Sequence, residues 1–421
     1  MTRSDTSTVR KQPVYMPRVF YGNFDFEHEL ASSAYNRSNR LTRLNAELTT
    51  HLLAMARDGD HLSYPDDAPV DFLTEAARSG FPVVSTEVLE SCSTDDLSMV
   101  PWGWSKAARS FAESQGWSCD APPPDAVSKA NSRMFSFESE QSLHASIPGS
   151  AVVDSMPSLE AAILNAAFVW KCRPTELCWL LKAEFSMSGR ERISANGTNF
   201  EDSTENWIGR RLAAGGRLYF EPRVVPLLEL SSQWSLQSRV PDDDHLREPT
   251  LLGVTQLLTD KAGQFLGSIL LDQELTDAAA HDSDGFRLSR TMLDRVVTDA
   301  RSVAVKVLRL GYHGPLGIDA MVYRGPDGEP TVRTIQDVNA RLTMGRIALE
   351  WFRRFADSSC PAWLLVPPDW LQGEGDAPAP DYPNRRLTSP HRIAGKPVQR
   401  VGVLFTEPAD WTRLLAIHLR P

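Results

Sequence analysis

The sequence predicts a mixed chain, an open α/β layer first and β-rich runs with an antiparallel hairpin later. Three observations carry this. Short strand-like runs alternate with amphipathic helices from about Pro17 to Ala121. A long β-rich run spans Arg217 to Ser231. Two apolar runs, Leu316 to Tyr323 and Thr331 to Asn339, flank Arg324-Gly325-Pro326-Asp327-Gly328-Glu329, whose Gly, Pro and Asp-Gly mark a tight reversal.

In the first layer, Arg18 to Phe24 is a strand candidate. Leu41, Leu44, Leu48, Leu52 and Met55 recur at helical spacing, with Gly59 as the stop. A short helix at Phe72 to Arg78, a strand at Phe81 to Ser85 and a helix at Lys106 to Ser114 follow, the last ending at Gly116. Ala121-Pro122-Pro123-Pro124 marks a boundary.

Beyond it, the pattern predicts a helix at Ser158 to Ala167 and a strand at Trp179 to Phe185. Asp202 and Glu205 resemble a capping box for a helix through Leu212, stopped by Gly215 and Gly216. Leu251 to Leu258 and Gly267 to Leu271 read as strands. Met292 to Leu310 reads as a helix with Val296, Val297, Ala300, Val303, Ala304 and Val307 on one side and Gly311 at its end. Val240 to Glu248 is an acidic loop, and Val366 to Asn384 is a loop or linker rich in Pro, Gly and acid. A strand at Val401 to Phe405 and a helix at Trp411 to His418 close the chain.

At 421 residues, two or three packed domains are expected. Charge is 44 basic against 54 acidic residues, a net −10, which disfavours a general nucleic-acid binder. No run approaches the roughly 20 apolar residues of a membrane span. The polar, basic start does not read as a secretory signal but as a disordered tail. Five scattered cysteines without a CxxC pair read as reduced thiols of a cytoplasmic protein. The nine histidines form no HxxxH or HxH cluster, which argues against zinc. Trp102, Trp104, Trp351, Trp363 and Trp370 are expected mainly in cores.

Chemistry concentrates in Gly317-Ile318-Asp319-Ala320-Met321 and Ile335-Gln336-Asp337-Val338-Asn339-Ala340-Arg341. Asp and Asn supply the hard oxygens that a divalent cation on ATP phosphates needs. Arg supplies a planar fork for phosphate or carboxylate. Asp337 and Asn339, two apart on a strand, share a face. Asp319 joins them only if the hairpin pairs odd with odd positions, and the register is open at this level. Two acids on one half-buried face repel unless a cation or base lies between them.

Lys182 sits inside the apolar run Trp179 to Phe185, where a buried ammonium needs a counter-charge such as a nucleotide phosphate. The polar loop behind it contains Ser186, Ser188, Gly189, Arg190 and Arg192, with hydroxyl, guanidinium and close-approach backbone donors. It is not a P-loop. Leu218-Tyr219-Phe220-Glu221-Pro222 places Glu221 at an extended turn before proline, where an adenine ring could stack and pair. Glu229 on the following strand is a further acid.

In this order, Asn131-Ser132-Arg133, Lys182 with its small-residue loop, Glu221-Pro222 and Asp319…Asp337-Val338-Asn339-Ala340-Arg341 resemble the ATP-grasp superfamily over Pro17 to Trp351. The D-x-N-x-R run looks like the metal-binding strand of carboxylate–amine ligases and biotin carboxylases. Pro101-Trp102-Gly103-Trp104-Ser105 is similar to a segment of poorly characterised bacterial members.

The resemblance implies a pre-ATP-grasp α/β domain followed by a two-subdomain, α+β ATP-grasp fold. It divides the chain into a tail at 1–16, the α/β domain at 17–124, and a lid with the N-terminal grasp subdomain at 125–220. The C-terminal grasp subdomain with the metal site spans 221–365, and a linker and extension span 366–421.

It implies that Lys182 contacts ATP phosphates with Arg133, which stands where the family usually has a lysine. Ser186 to Arg192 would close over the phosphates, and Glu221 with its neighbours would hold adenine and ribose. Asp319, Asp337 and Asn339 would bind Mg²⁺ (or Mn²⁺), and Arg341 would steady the transferred phosphoryl group. The implied reaction activates a small-molecule carboxylate as an acyl phosphate for an amine or other nucleophile. A phosphotransferase and a non-catalytic nucleotide-binding protein remain the alternatives, and the oligomeric state is unread.

Overall fold

Three sheets position the candidate residues. They belong to a computed structural model describing residues 16–32, 34–65, 68, 70–78, 81–86, 97–185, 191–213, 215–237, 248–259, 265–271, 286–354, 362–364, 391–393, 396–398, 404–406 and 414–417.

The first sheet is parallel, in the order β2-β1-β3, from Arg18–Tyr21 (β1), His61–Ser63 (β2) and Ser98–Pro101 (β3). Parallel neighbours need helical crossovers. Phe26–Ala31 (α1) and Asn39–Thr49 (α2) make the first, and Val70–Arg78 (α3) makes the second. Alternate side chains of β1 face opposite ways. Val19 packs with Met99, Ala108, Ala112 and Trp117, whereas Phe20 joins the large core that also contains Trp102, Trp351 and Trp363. Ser105 caps Lys106–Gln115 (α4), and Gly116 ends it in the left-handed conformation, as the sequence pattern predicts. Phe81 to Ser85 makes only an isolated bridge, His61 with Ser85, in place of the expected strand.

Pro124, read as punctuation, is the first residue of Pro124–Ala130 (α5), where a proline's missing N–H costs nothing. Ser132 then caps Arg133–Ser142 (α6). The sequence pattern marks neither helix, because the buried residues of α6 include Arg133, Ser136, Ser139 and Glu140, which breaks the apolar period, and α5 spans only seven residues.

The second sheet is antiparallel, in the order β4-β7-β5-β6: Ala151–Val153 (β4), Cys178–Ala183 (β5), Arg192–Asn196 (β6) and Leu218–Pro222 (β7). Trp179, Leu181, Leu218 and Phe220 pack against Met156–Val169 (α7) and Asp202–Ala213 (α8). Their strand neighbours Lys182, Tyr219 and Glu221 therefore point to the opposite face. Asp202 is the first helical residue and Glu205 N–H bonds Glu201 O, so the two acids lie in the first turn of α8.

The third sheet has six antiparallel strands in the order β12-β11-β8-β9-β10-β13. These are Pro226–Leu236 (β8), Thr250–Thr259 (β9), Phe265–Leu270 (β10), Gly314–Arg324 (β11), Pro330–Asn339 (β12) and Ala362–Leu364 (β13). The even positions Leu228, Leu230, Leu316, Ile318, Ala320 and Val338 join the cores containing Arg290–Arg309 (α9). The odd positions Glu229, Ser231, Gln233, Asp319, Asp337 and Asn339 are left on the other face. The chain passes from the second sheet to the third between Pro222 and Pro226. Met344–Arg354 (α10) follows β12.

Of the helix expected at Trp411 to His418, residues 414–417 are described and form a strand instead. Leu414–Ile417 pairs antiparallel with Leu404–Thr406, because four apolar residues suit a strand as well as a helix and pairing decides between them. Trp370 and the linker at 366–384 lie outside the described residues. Among those described, Cys119, Cys172 and Cys178 are free, and no helix is long and apolar enough to cross a membrane.

Candidate active site

The hairpin register left open by the sequence pairs odd with odd: Asp319 lies opposite Asp337 and Gly317 opposite Asn339. A bulge between Asp319 and Met321 turns the pairing so that Met321 faces Arg333. The two carboxylates and the amide thus share the face away from α9. Asn339 donates its side-chain N–H to Asp319 Oδ2 at 3.0 Å, and Ser231 Oγ donates to Asp319 Oδ1 at 2.6 Å. Gln233 donates to Ser231 Oγ at 2.7 Å and accepts from Thr343 Oγ1 at 2.6 Å, which orients that hydroxyl. Burial and then the charge of Asp337 push the Asp319 carboxyl up to about 7, against the hydrogen bonds that favour its ionised form.

Arg133 on α6 reaches this face, with Nη2 3.3 Å from Asp337 Oδ2. Its neighbours fix it there. Asn131 makes two hydrogen bonds to the backbone of Ala340, accepting at 2.9 Å and donating at 3.2 Å. Ser132 donates to Glu184 Oε1 at 2.6 Å, and Arg133 N–H donates to the Glu184 carbonyl at 3.1 Å. The Asn-Ser-Arg step therefore ties the tip of β5 to the end of β12.

Lys182 has a counter-charge within the chain: Glu221 is in direct ion-pair contact with its ammonium. Glu221 also lies 3.0 Å from Arg333 Nη1. Arg333 in turn donates to Glu140 Oε1 at 2.7 Å and to the Tyr219 hydroxyl at 3.0 Å. Lys182, Glu221, Arg333 and Glu140 are all buried. Burial works to raise the Glu221 carboxyl, but Lys182 and Arg333 beside it prevail and hold it at about 2. Burial lowers the Lys182 ammonium, and Arg133 and Arg333 add to the effect while Glu221 opposes it. One anion between cations explains both directions.

Glu221 corrects one expectation: it is inside β7, its backbone in register with Leu180, and not at an exposed turn. The strand tolerates Pro222 because that residue lies at its end. The carboxylate is buried in the ion network. Glu229 lies on the Asp319 face, where it accepts from Thr259 Oγ1 at 2.6 Å. Ser186, Ser188, Gly189 and Arg190 lie outside the described residues.

Arg341 does not extend the strand, which ends at Asn339. Its Nε donates to Glu27 Oε1 at 2.6 Å, its Nη2 to Asn339 Oδ1 at 2.9 Å and its Nη1 to the Leu342 carbonyl at 2.9 Å. The Trp102 ring lies 5.4 Å from the guanidinium carbon. Glu27, Glu140, Ser231 and Arg333 carry no local signal, since the charged groups they meet lie 88 to 314 residues away along the chain.

Among the described residues, no group of three or more His, Cys, Asp or Glu is arranged as a metal site. The Asp319, Asp337 and Asn339 set, two carboxylates and an amide, nevertheless fits a hard divalent cation. Its ligating atoms would all be oxygens, and the two carboxylates stand opposite each other on one face of the sheet.

No known family model matches the sequence, and no curated protein matches it. Solved structures do resemble the fold. The biotin carboxylase of Campylobacter jejuni, solved as a β,γ-ATP complex, aligns over 96% of this chain and 87% of its own with 12% identity and a TM-score of 0.51. N5-carboxyaminoimidazole synthetase from Staphylococcus aureus aligns over 96% and 92% with 11% identity and a TM-score of 0.47. The biotin carboxylase domain of the Hydrogenobacter thermophilus 2-oxoglutarate carboxylase, solved with MgADP, ADP and bicarbonate, aligns over 96% and 85% with 14% identity and a TM-score of 0.47.

Proposed function

We propose that this chain, which has the ATP-grasp fold, is an ATP- and Mg²⁺- (or Mn²⁺-) dependent ligase that activates a small-molecule carboxylate as an acyl phosphate. An amine or another nucleophile then displaces phosphate. The observation that carries the reading is the cross-strand pairing of Asp319 with Asp337, with Asn339 on one and Arg133 on the other.

In this reading Asp319, Asp337 and Asn339 hold the cation, which when bound neutralises phosphate charge. Arg133 and Lys182 supply positive charge from the lid side, and Glu221 with Arg333 fixes the Lys182 head by ion pairing. Glu229, on the same face as Asp319, borders the nucleotide. Ser186, Ser188, Gly189 and Arg190 belong to the loop that would cover the phosphates. Arg341 keeps the Asn339 amide aligned and offers its remaining N–H to the acyl phosphate. The protein thus contributes positioning and charge stabilisation, which is most of what phosphoryl transfer asks. The domain limits at 124, 220 and 365 belong to the same proposal, and β7, Leu218–Pro222, runs across the second of them.

Incubation with Mg-ATP, a carboxylate library and hydroxylamine tests the reading. ADP release with a trapped hydroxamate is the expected result. A phosphorylated alcohol without hydroxamate overturns it in favour of a kinase, and ATP binding without ADP overturns it in favour of a binding protein.

A further inference from the structure

The helix α7 turns one side to the second sheet and another to solvent, and both sides are apolar. Leu159, Ala162, Ile163, Ala166 and Ala167 are buried in the core with Trp179, Leu181, Leu218 and Phe220. Away from them, Pro157, Ala161, Leu164 and Phe168 are exposed, Leu164 by 54% and Phe168 by 84%. A helix that is apolar all round is normally buried all round. One exposed leucine needs no explanation, but a contiguous apolar row does.

The row continues past both ends of the helix. Asp154, Pro157, Ala161, Leu164, Phe168 and Lys171 follow one another at alternating steps of three and four, the spacing of a helix-pairing seam, and all are exposed. The acid stands before the helix and the base after it. Lys171 holds the left-handed position that ends the helix, φ 54°, where glycine is usual. Asp154 accepts from Ser158 Oγ at 3.2 Å through Oδ1. Arg173, the next base, lies 3.5 Å from Glu176, so Lys171 carries the net charge at that end.

We propose that α7 pairs with α7 of a second copy of this chain, antiparallel, about a two-fold axis that passes between Ala162 and Ile163. The row is its own complement in that arrangement. Leu164 comes level with the partner helix at its Ala161 position, Phe168 with the Pro157 position, and Lys171 with the Asp154 position. Each match occurs twice, as a two-fold axis requires. Large side chains meet small ones, and cation meets anion. On the flank, the exposed Glu160 comes level with the exposed Asn165 amide position. Parallel pairing would instead set acid on acid and base on base, which electrostatics disfavours. The Lys182 and Glu221 face of the second sheet is the one away from α7, so this pairing leaves it uncovered. The proposal does not depend on the ligase reading.

A standard interface buries about 800 Å² per partner, more than one helical row supplies. The dimer is therefore weak and concentration-dependent, with a dissociation constant on the order of 10 to 100 µM.

Sedimentation equilibrium of the full chain, from about 1 µM to about 500 µM at low salt, is the test. Wild type is expected to pass from monomer to dimer over that range. Phe168→Glu should raise the dissociation constant at least about 30-fold, the scale of a buried aromatic anchor, and stay monomeric. Leu164→Glu is a second variant of the same kind should the first not fold. Asp154→Lys and Lys171→Asp should each weaken the dimer about tenfold, and the double reversal should restore it. At about 1 M salt, where charges are screened within about 3 Å, the reversals should no longer differ from wild type. A wild-type monomer at every concentration overturns the proposal, as does a dimer that survives both Phe168→Glu and Leu164→Glu. A dimer that neither single reversal weakens, or that the double reversal does not restore, overturns the antiparallel pairing. Wild type that stays monomeric but floats with phosphatidylglycerol vesicles, and loses this in Phe168→Glu, gives the face to a membrane surface instead. The readout is mass and not turnover, so failure here leaves the ligase reading where it stands.

Discussion

Asp319 and Asp337 are register partners across the β11–β12 ladder, so two carboxylates face each other on one side of a sheet. Like charges directly opposite destabilise a sheet pair, and this chain keeps them. Each is met by a donor from elsewhere: Asn339 and Ser231 on Asp319, Arg133 on Asp337.

From that arrangement, Asp337→Ala and Asn339→Ala are each expected to lower ATP turnover by roughly 10²-fold or more, the scale seen when a preorganised charge-stabilising group is removed. Both side chains are partly exposed, so the fold should persist. ADP release and the urea midpoint check the two halves. Turnover near wild type in either variant removes the cation assignment.

Lys182 and Glu221 give a second test. Both are buried, and removing one partner of a buried pair typically costs about 3–5 kcal/mol because the other is left uncompensated. Lys182→Met should therefore destabilise the protein as well as weaken Mg-ATP binding. Glu221 keeps Arg333 as a partner, which places the loss at the lower end of that range. The double variant Lys182→Met, Glu221→Gln should lose clearly less than the two singles added, as read by urea unfolding. Additive losses would mean that the two side chains do not share one network.

Much of this architecture is legible in the sequence. The period-2 pattern of Leu316 to Asn339 with Gly-Pro-Asp-Gly between marks the hairpin, and the apolar stripe from Val296 to Val307 marks α9. Local spacing carries that information. The partners of the site residues are not legible, because they meet only through tertiary packing. Lys182 reads as a buried cation awaiting an anion, and its anion, Glu221, is 39 positions on in the neighbouring strand. Arg341 reads as a phosphate fork, while the α1 carboxylate that takes its Nε lies 314 residues earlier.

Arg333 follows from the same network. Its guanidinium is fully buried between Glu140, Glu221 and the Tyr219 hydroxyl. Arg333→Met should destabilise by roughly 3–5 kcal/mol, since it strands the buried Glu140 carboxylate and leaves Glu221 with Lys182 alone. Adding Glu140→Gln should recover part of the loss, because a neutral amide needs no counter-charge there. Urea denaturation of the pair is the measurement, and no recovery would place the cost of Arg333→Met in lost packing instead.

The Asp319 carboxyl, raised to about 7 by burial and by Asp337, makes stability depend on pH with a definite sign. Its unfolded value is near ~3.9, so between about pH 4 and 7 the folded chain holds a proton that the unfolded chain has lost. Stability therefore falls with rising pH through that window, and the contribution is flat above about 7. Burial also raises the Glu140 carboxyl, against the pull of Arg333, so the wild-type slope is not that of Asp319 alone. Glu221, held at about 2, acts with the opposite sign but below about pH 4.5, outside the window. The difference between wild type and Asp319→Asn isolates the group. The variant should show a shallower fall from pH 4 to 7 in the presence of a chelator. Mg²⁺ competes with that proton, so its stabilisation of wild type should grow up to about pH 7 and then level. A thermal-shift series with and without Mg²⁺ reads both effects. A Mg²⁺ shift that is equal at pH 5 and pH 8, or is retained in Asp319→Asn, would mean that the cation is held elsewhere.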